Sequence, residues 1–213
     1  MPSTTLGIPF PTGTDLVSNG PAEMQALATQ VDLLLPHVVT TLPGSPFDGQ
    51  LIDYVADSTA GVVWRFRYRA ASPSAHKWEF VGGPALYAGD GGSHSGTSGT
   101  SGTWQAPNTG NALVVPFAGD YQVEVALGAT ITSVGGANIT PGFATTGAPS
   151  GVLGQGFGIT NAGSSMAVTL VGALLRALEL AASTITPVIA FNVSTQSWSV
   201  FSSVIRLLPV RIG

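Results

Sequence analysis

Residues 104–213 carry only six ionised side chains: Asp120, Glu124, Arg176, Glu179, Arg206 and Arg211. Any fold for this half must therefore hide or share surface that a solitary domain would cover with charge. The same stretch breaks into short runs rich in β-branched and aromatic residues, separated by turn residues. The expected strands are Ala112–Pro116, Tyr121–Thr130, Met166–Val171, Leu174–Leu180, Thr186–Val193 and Trp198–Leu208. Turns are expected at Ala118–Gly119–Asp120, Gly135–Gly136, Thr146–Pro149 and Ala162–Gly163. Many short strands with regular turns predict a β-sandwich or jelly roll. An antiparallel sheet facing water alternates apolar and polar side chains. Here the outward sites are Ala, Gly, Ser and Thr, which suits close packing between subunits. Residues 172–182 pull both ways. Their composition favours a helix, but Leu174, Arg176, Leu178 and Leu180 alternate with Leu175, Ala177, Glu179 and Ala181. A strand buried on both faces has this pattern, and strand is the expectation taken.

Across all 213 residues charge stays sparse, at 8% against a usual value of about 25%. Low charge does not make this a membrane-spanning chain, because a spanning helix needs about 20 consecutive apolar residues. The nearest approach, 166–182, is interrupted by Arg176 and Glu179. Met1–Pro11 has neither the basic start nor the apolar run of an export signal. A net charge of −4 gives no basic footprint for nucleic acid. With no cysteine there is neither a disulfide nor a thiolate metal site. No cofactor, membrane or nucleic-acid partner is expected. The economical partner for so neutral a surface is another copy of the chain.

Four segments are expected. Residues 1–40 hold an extended arm with Pro2, Pro9 and Pro11, followed by a short helix starting near Pro21 and ending before Pro36. Met24, Leu27, Val31 and Leu34 are spaced three, four and three, forming an a/d seam of two heptads. That seam either packs on the chain's own β-structure or joins identical chains in a short parallel bundle. Residues 41–88 form a small β-meander with strands at 51–56, 62–69 and 77–81. In its second strand Trp64, Phe66 and Tyr68 take one face and Arg65, Arg67 and Arg69 the other, a period of two. Residues 89–103, rich in Gly, Ser and Thr, are expected to be a flexible linker. Residues 104–213 form the sandwich head. The fold class expected is mainly β: arm and short helix, meander, and C-terminal jelly-roll sandwich.

Catalytic groups are scarce. A glycan hydrolase needs two converging acids, and the head offers Asp120, Glu124 and Glu179. Asp120 falls in a predicted turn, while Glu124 and Glu179 are expected to pair with Arg176, Arg206 or Arg211. His37, His76 and His94 all lie outside the head, so no Ser–His–acid set is expected there. Metal binding at His94 would require several linkers to converge, and a solvated side chain is the expectation. Arg65, Arg67, Arg69 and Trp104 are the candidate surface or glycan contacts, the arginines being otherwise the solvated face of a half-buried sheet.

Two stretches resemble virion proteins of tailed bacteriophages. Ile8–Asp32 is similar to the opening of many minor tail and fibre proteins, a proline-rich arm running into a short helix. Asp53–Asp57, Gly61–Arg69 and Lys77–Pro84 resemble a recurring module of such proteins. Gly119–Glu124 together with Trp198–Arg211 is similar to trimeric jelly-roll heads of the C1q/TNF-like kind. The resemblance implies a virion structural protein, a minor tail or tail fibre protein that assembles as a homotrimer in the host cytoplasm. It also implies anchoring to other tail or capsid proteins through the arm, and contact with host-surface glycan. It supplies no catalytic signature. The alternatives are a capsid head fibre or decoration protein, and a virion-borne glycan depolymerase. A free carbohydrate-binding module would need an export signal.

Overall fold

The computed structural model describes residues 20–97, 104–106, 111–132, 139–145, 166–191 and 197–213. The predicted arm, the turns at Gly135–Gly136, Thr146–Pro149 and Ala162–Gly163, and residues 98–103 of the predicted linker lie outside these. Helix α1 spans Gly20–Leu34, with Pro21 in its first turn and Glu23 facing the positive end of the dipole. It stops before Pro36, and the Leu35 amide closes its end on the Asp32 carbonyl at 3.3 Å.

Short β1 (His37–Val39) pairs parallel with β2 (Leu51–Asp57). Strands β2, β3 (Val62–Tyr68) and β4 (Trp78–Gly82) make the expected antiparallel meander. Its first turn is set by chemistry at both ends. The Asp57 carboxylate accepts the amides of Thr59 and Ala60 at 2.8 and 2.9 Å, and Gly61 takes a φ of 67°. Period-two alternation places Val62, Trp64 and Phe66 in the core while Val63, Arg65 and Arg67 face out. The Trp64 indole donates to the Pro84 carbonyl at 2.8 Å, so its buried polar atom is satisfied.

The meander does not end its sheet. Strand β13 (Ser197–Ile212) continues it, with Arg211 opposite Glu79 and Ile212 opposite Trp78. Along the same edge of β13 run β5 (Leu86–Asp90) and β6 (His94–Thr97). Its other edge carries β9 (Gly119–Thr132), which in turn pairs with β11 (Met166–Leu180). A second sheet faces this one: β10 (Ile139–Thr145), β12 (Ser183–Phe191) and β7 (Trp104–Gln105), with β8 (Leu113–Val115) also on β12. Val123, Val125, Leu127, Ile205 and Leu207 from the large sheet meet Val115, Phe143, Ile185 and Ile189 from the small one in a shared core. The chain is thus mainly β, with one short helix among the described residues, a meander and a C-terminal sandwich.

Polar fasteners pin the sandwich. Tyr121, fully buried, donates its hydroxyl to the Phe117 carbonyl at 2.9 Å and holds the corner leading into β9. Burial pushes its phenol far above the usual range. The buried Asn111 amide donates to the Ser203 carbonyl at 2.9 Å and also to the Ser203 hydroxyl, tying the entry to β8 to β13.

Several elements differ from expectation. Residues 166–180 form one strand rather than two, with a register shift between Leu170 and Ala173 where Gly172 signalled a break. Within it, residues 172–180 are strand, as expected, because pairing with β9 overrides local helix propensity. The predicted linker begins inside β5 and contains β6, which pairs with β13. A Cβ on Gly96 would sit 2.7 Å from the Trp198 ring, so glycine lets that indole cover the backbone. Gly119 and Asp120 belong to β9 rather than a turn. A Cβ at Gly119 would come within 2.3 Å of the Arg211 carbonyl oxygen. Strand β10 was not foreseen, since Pro141 and Gly142 both weaken a strand signal. Among the described residues it pairs only with β12, an edge position that tolerates proline.

Candidate interaction surfaces

The arginine row on the outer meander face meets acids of its own chain. Register puts Asp53 opposite Arg65 and Glu79 opposite Arg67. Arg65 donates Nε and Nη2 to the two Asp53 carboxylate oxygens at 2.8 and 2.9 Å, a bidentate pair. The Arg65 hydrogen bond holds the Asp53 carboxyl below the usual carboxylate range, and partial burial opposes this. Glu79 receives three guanidinium groups: Arg67 at 3.4 Å, Arg69 at 3.3 Å and Arg211 at 3.9 Å. The row is therefore an interdigitated ion-pair face rather than an open basic patch, and its chemistry toward an anionic glycan is correspondingly blunted. Lys77 is engaged too, its ammonium donating to the Ser72 carbonyl at 2.6 Å.

Alternation in 51–57 places Leu51, Asp53 and Val55 on one face, and a meander register then delivers Asp53 to Arg65. Beside the pair runs a groove of about 390 Å³ lined by Asp53, Val63, Arg65, Val81, Gly82 and Gly83.

The helix seam faces solvent. Met24 is 72% exposed, Leu27 37% and Val31 40%. Leu34 lies at the helix end, where its side chain is outside the described residues. The described part of the stripe is therefore not packed on the chain's own sandwich. Leu35 and Val38, just beyond the helix, are exposed as well. Trp104 sits in β7 with its backbone paired to Ala190, and its side chain lies outside the described residues.

In the head, the expected pairing of Glu124 is with Arg206, at 3.4 Å, whereas Arg211 reaches Glu79 of the meander instead. Arg176 and Glu179 have side chains outside the described residues. Arg206 also lies 5.9 Å from the Tyr87 ring centroid. The histidines do not converge: His37 contacts the Asp32 carbonyl, His76 the Gly213 carbonyl, and His94 stands in β6 opposite Val200.

No protein-family model matches the chain, and no curated protein matches it. Among solved structures, the infectious bursal disease virus VP2 subviral particle is similar at 13% identity and a TM-score of 0.41. That match covers 79% of this chain and 41% of the other. The structure of the infectious bursal disease virus Gt strain is similar at 13% identity and a TM-score of 0.40, covering 79% of this chain and 42% of the other. The chain thus spans about two fifths of the length of those proteins.

Proposed function

We propose that this chain is a structural component of a bacteriophage virion, a minor tail or fibre protein. In this reading it assembles as a homotrimer in the host cytoplasm and contributes to attachment without catalysing a reaction. The observation that carries the reading is the exposed a/d seam of α1, Met24, Leu27 and Val31, set ahead of a sandwich nearly devoid of charge. An uncovered seam is the inner face of a helical bundle waiting for copies of itself. Two heptads are too short to hold such a bundle unaided, so the β-body adds contacts of its own. The arm preceding the helix anchors the assembly to other tail or capsid proteins, and the head presents a neutral surface outward. Repeated copies on one particle turn weak contacts with a repetitive cell surface into firm attachment. Jelly-roll heads of the trimeric kind suit this role, since closure around an axis hides neutral sheet faces.

Light scattering at micromolar concentration tests the assembly: a trimer mass is expected, and a monomer mass removes the reading's physical basis. Immunogold labelling of intact particles tests the place. Gold on the tail supports the tail reading, and gold confined to the capsid makes the chain a head fibre or decoration protein. Release of new reducing ends from host cell-wall polysaccharide would make it a depolymerase instead.

A further inference from the structure

Three short strands cover one edge of β13 in turn. β4 takes Arg211 and Ile212, β5 takes 203–207, and β6 takes 197–200. They are held unequally. β4 brings Trp78 into the core and β5 brings Leu86, with Ala88 packed against it. β6 reads His94, Ser95, Gly96 and Thr97 and brings no apolar side chain. Among the described residues it pairs with β13 alone. Gly91 and Gly92 lie between it and β5 and supply a hinge. What rests on β6 comes from its partner: the Trp198 indole lies across Gly96, where the missing Cβ leaves room. The ring is held there by its Nε1–H, which donates to the Gln105 side-chain oxygen of β7 at 3.0 Å. Ser93 and Ser199 add a hydroxyl contact at 3.3 Å. One indole thus joins β6 of the large sheet to β7 of the small one.

We propose that β6 is a strap that opens by itself, ahead of the sheet it covers, with Trp198 as its clasp. Local opening costs least where a segment is held by few apolar contacts and by hydrogen bonds along one edge. β6 meets both conditions, whereas buried Leu86 anchors β5. Opening bares the backbone of β13 at 197–200 and uncovers one side of the indole. An unpaired strand edge is a template for a further strand, so the closed strap guards that edge. The strap belongs to the single chain and does not depend on the trimer.

Hydrogen exchange of the full chain, read by mass spectrometry, tests both parts. In urea below the unfolding midpoint, amides of 94–97 should exchange about 100-fold or more faster than those of β9, at a rate that urea hardly changes. Those of β5 should follow β9. Exchange of β6 at the rate and urea dependence of β9, or of β5 as fast as β6, overturns the strap. Trp198→Phe keeps an aromatic ring and removes the indole donor. It should speed exchange in 94–97 by about fivefold and leave β5 unchanged. Gln105→Ala removes the acceptor without touching the buried ring and should give the same pattern, so the clasp is read even where Trp198→Phe fails to fold. Equal acceleration of β5 and β6, or none in either, overturns the clasp.

Discussion

At the scale of single residues, the polar groups of this protein divide by how far each is removed from water. Tyr121 is buried and bonded to the Phe117 carbonyl, so Tyr121→Phe should cost about 1 kcal/mol of unfolding free energy in urea titrations. Its raised pKa also has a sign in alkali. An unfolded tyrosine ionises near pH 10 while the folded one stays protonated, so the unfolded state alone loses its proton and stability falls as pH rises beyond that value. Asp53 behaves oppositely. Its carboxyl is held below the usual range by Arg65. The pair's contribution is therefore complete above the unfolded value of about 3.9 and is lost as pH drops through the lower folded value. That contribution is small, since Arg65 is half exposed. A double-mutant cycle of Asp53→Ala and Arg65→Ala should return a coupling of about 0.5 kcal/mol, and no more than about 1.

At the scale of elements, the two adjoining glycines at the end of β4 give a paired test of backbone and space. Gly83 has a φ of 137°, and a Cβ there would lie 2.4 Å from the Val63 carbonyl oxygen. Gly82 has open space around the same atom. Gly83→Ala should therefore lower stability by about 2 kcal/mol or more, whereas Gly82→Ala should leave the thermal midpoint nearly unchanged. The contrast also shows where sequence reading succeeds. Alternation in 62–68 exposed the meander directly, because burial of one face leaves a period that composition alone cannot mimic. The helix was equally legible from Pro21, Pro36 and the spacing of Met24, Leu27 and Val31. Strand β6 was not, because glycine disfavours a strand and one threonine among Gly and Ser gives no alternation to read. Its pairing depends on Trp198, about a hundred positions away. The arginine row was visible but its neutralisation was not. Asp53 and Glu79 become partners only once strand register is known, and Glu79 gains its third guanidinium from the end of the chain.

For the whole molecule, the distribution of charge sets which forces the proposed assembly can draw on. The arm and helix carry Asp15, Glu23 and Asp32 with no base, while the head has three acids and three bases. Like-charged helices repel at low ionic strength, and a neutral head contributes almost no long-range force of either sign. In the proposed assembly the cohesion comes from apolar burial along the seam, where each well-covered side chain contributes about 1.5–3 kcal/mol. Replacing Met24, Leu27 and Val31 together by serine should raise the concentration at which copies dissociate by about tenfold or more. The β-body should keep its near-ultraviolet circular dichroism, since these side chains are exposed in the single chain. Salt gives the sharper discrimination. Burial-driven contacts strengthen in sulfate, and screening relieves the helix acids. Sedimentation should then show tighter assembly as ammonium sulfate rises. An assembly held mainly by exposed ion pairs would loosen over the same range, and the charge-poor head would be left without a physical explanation.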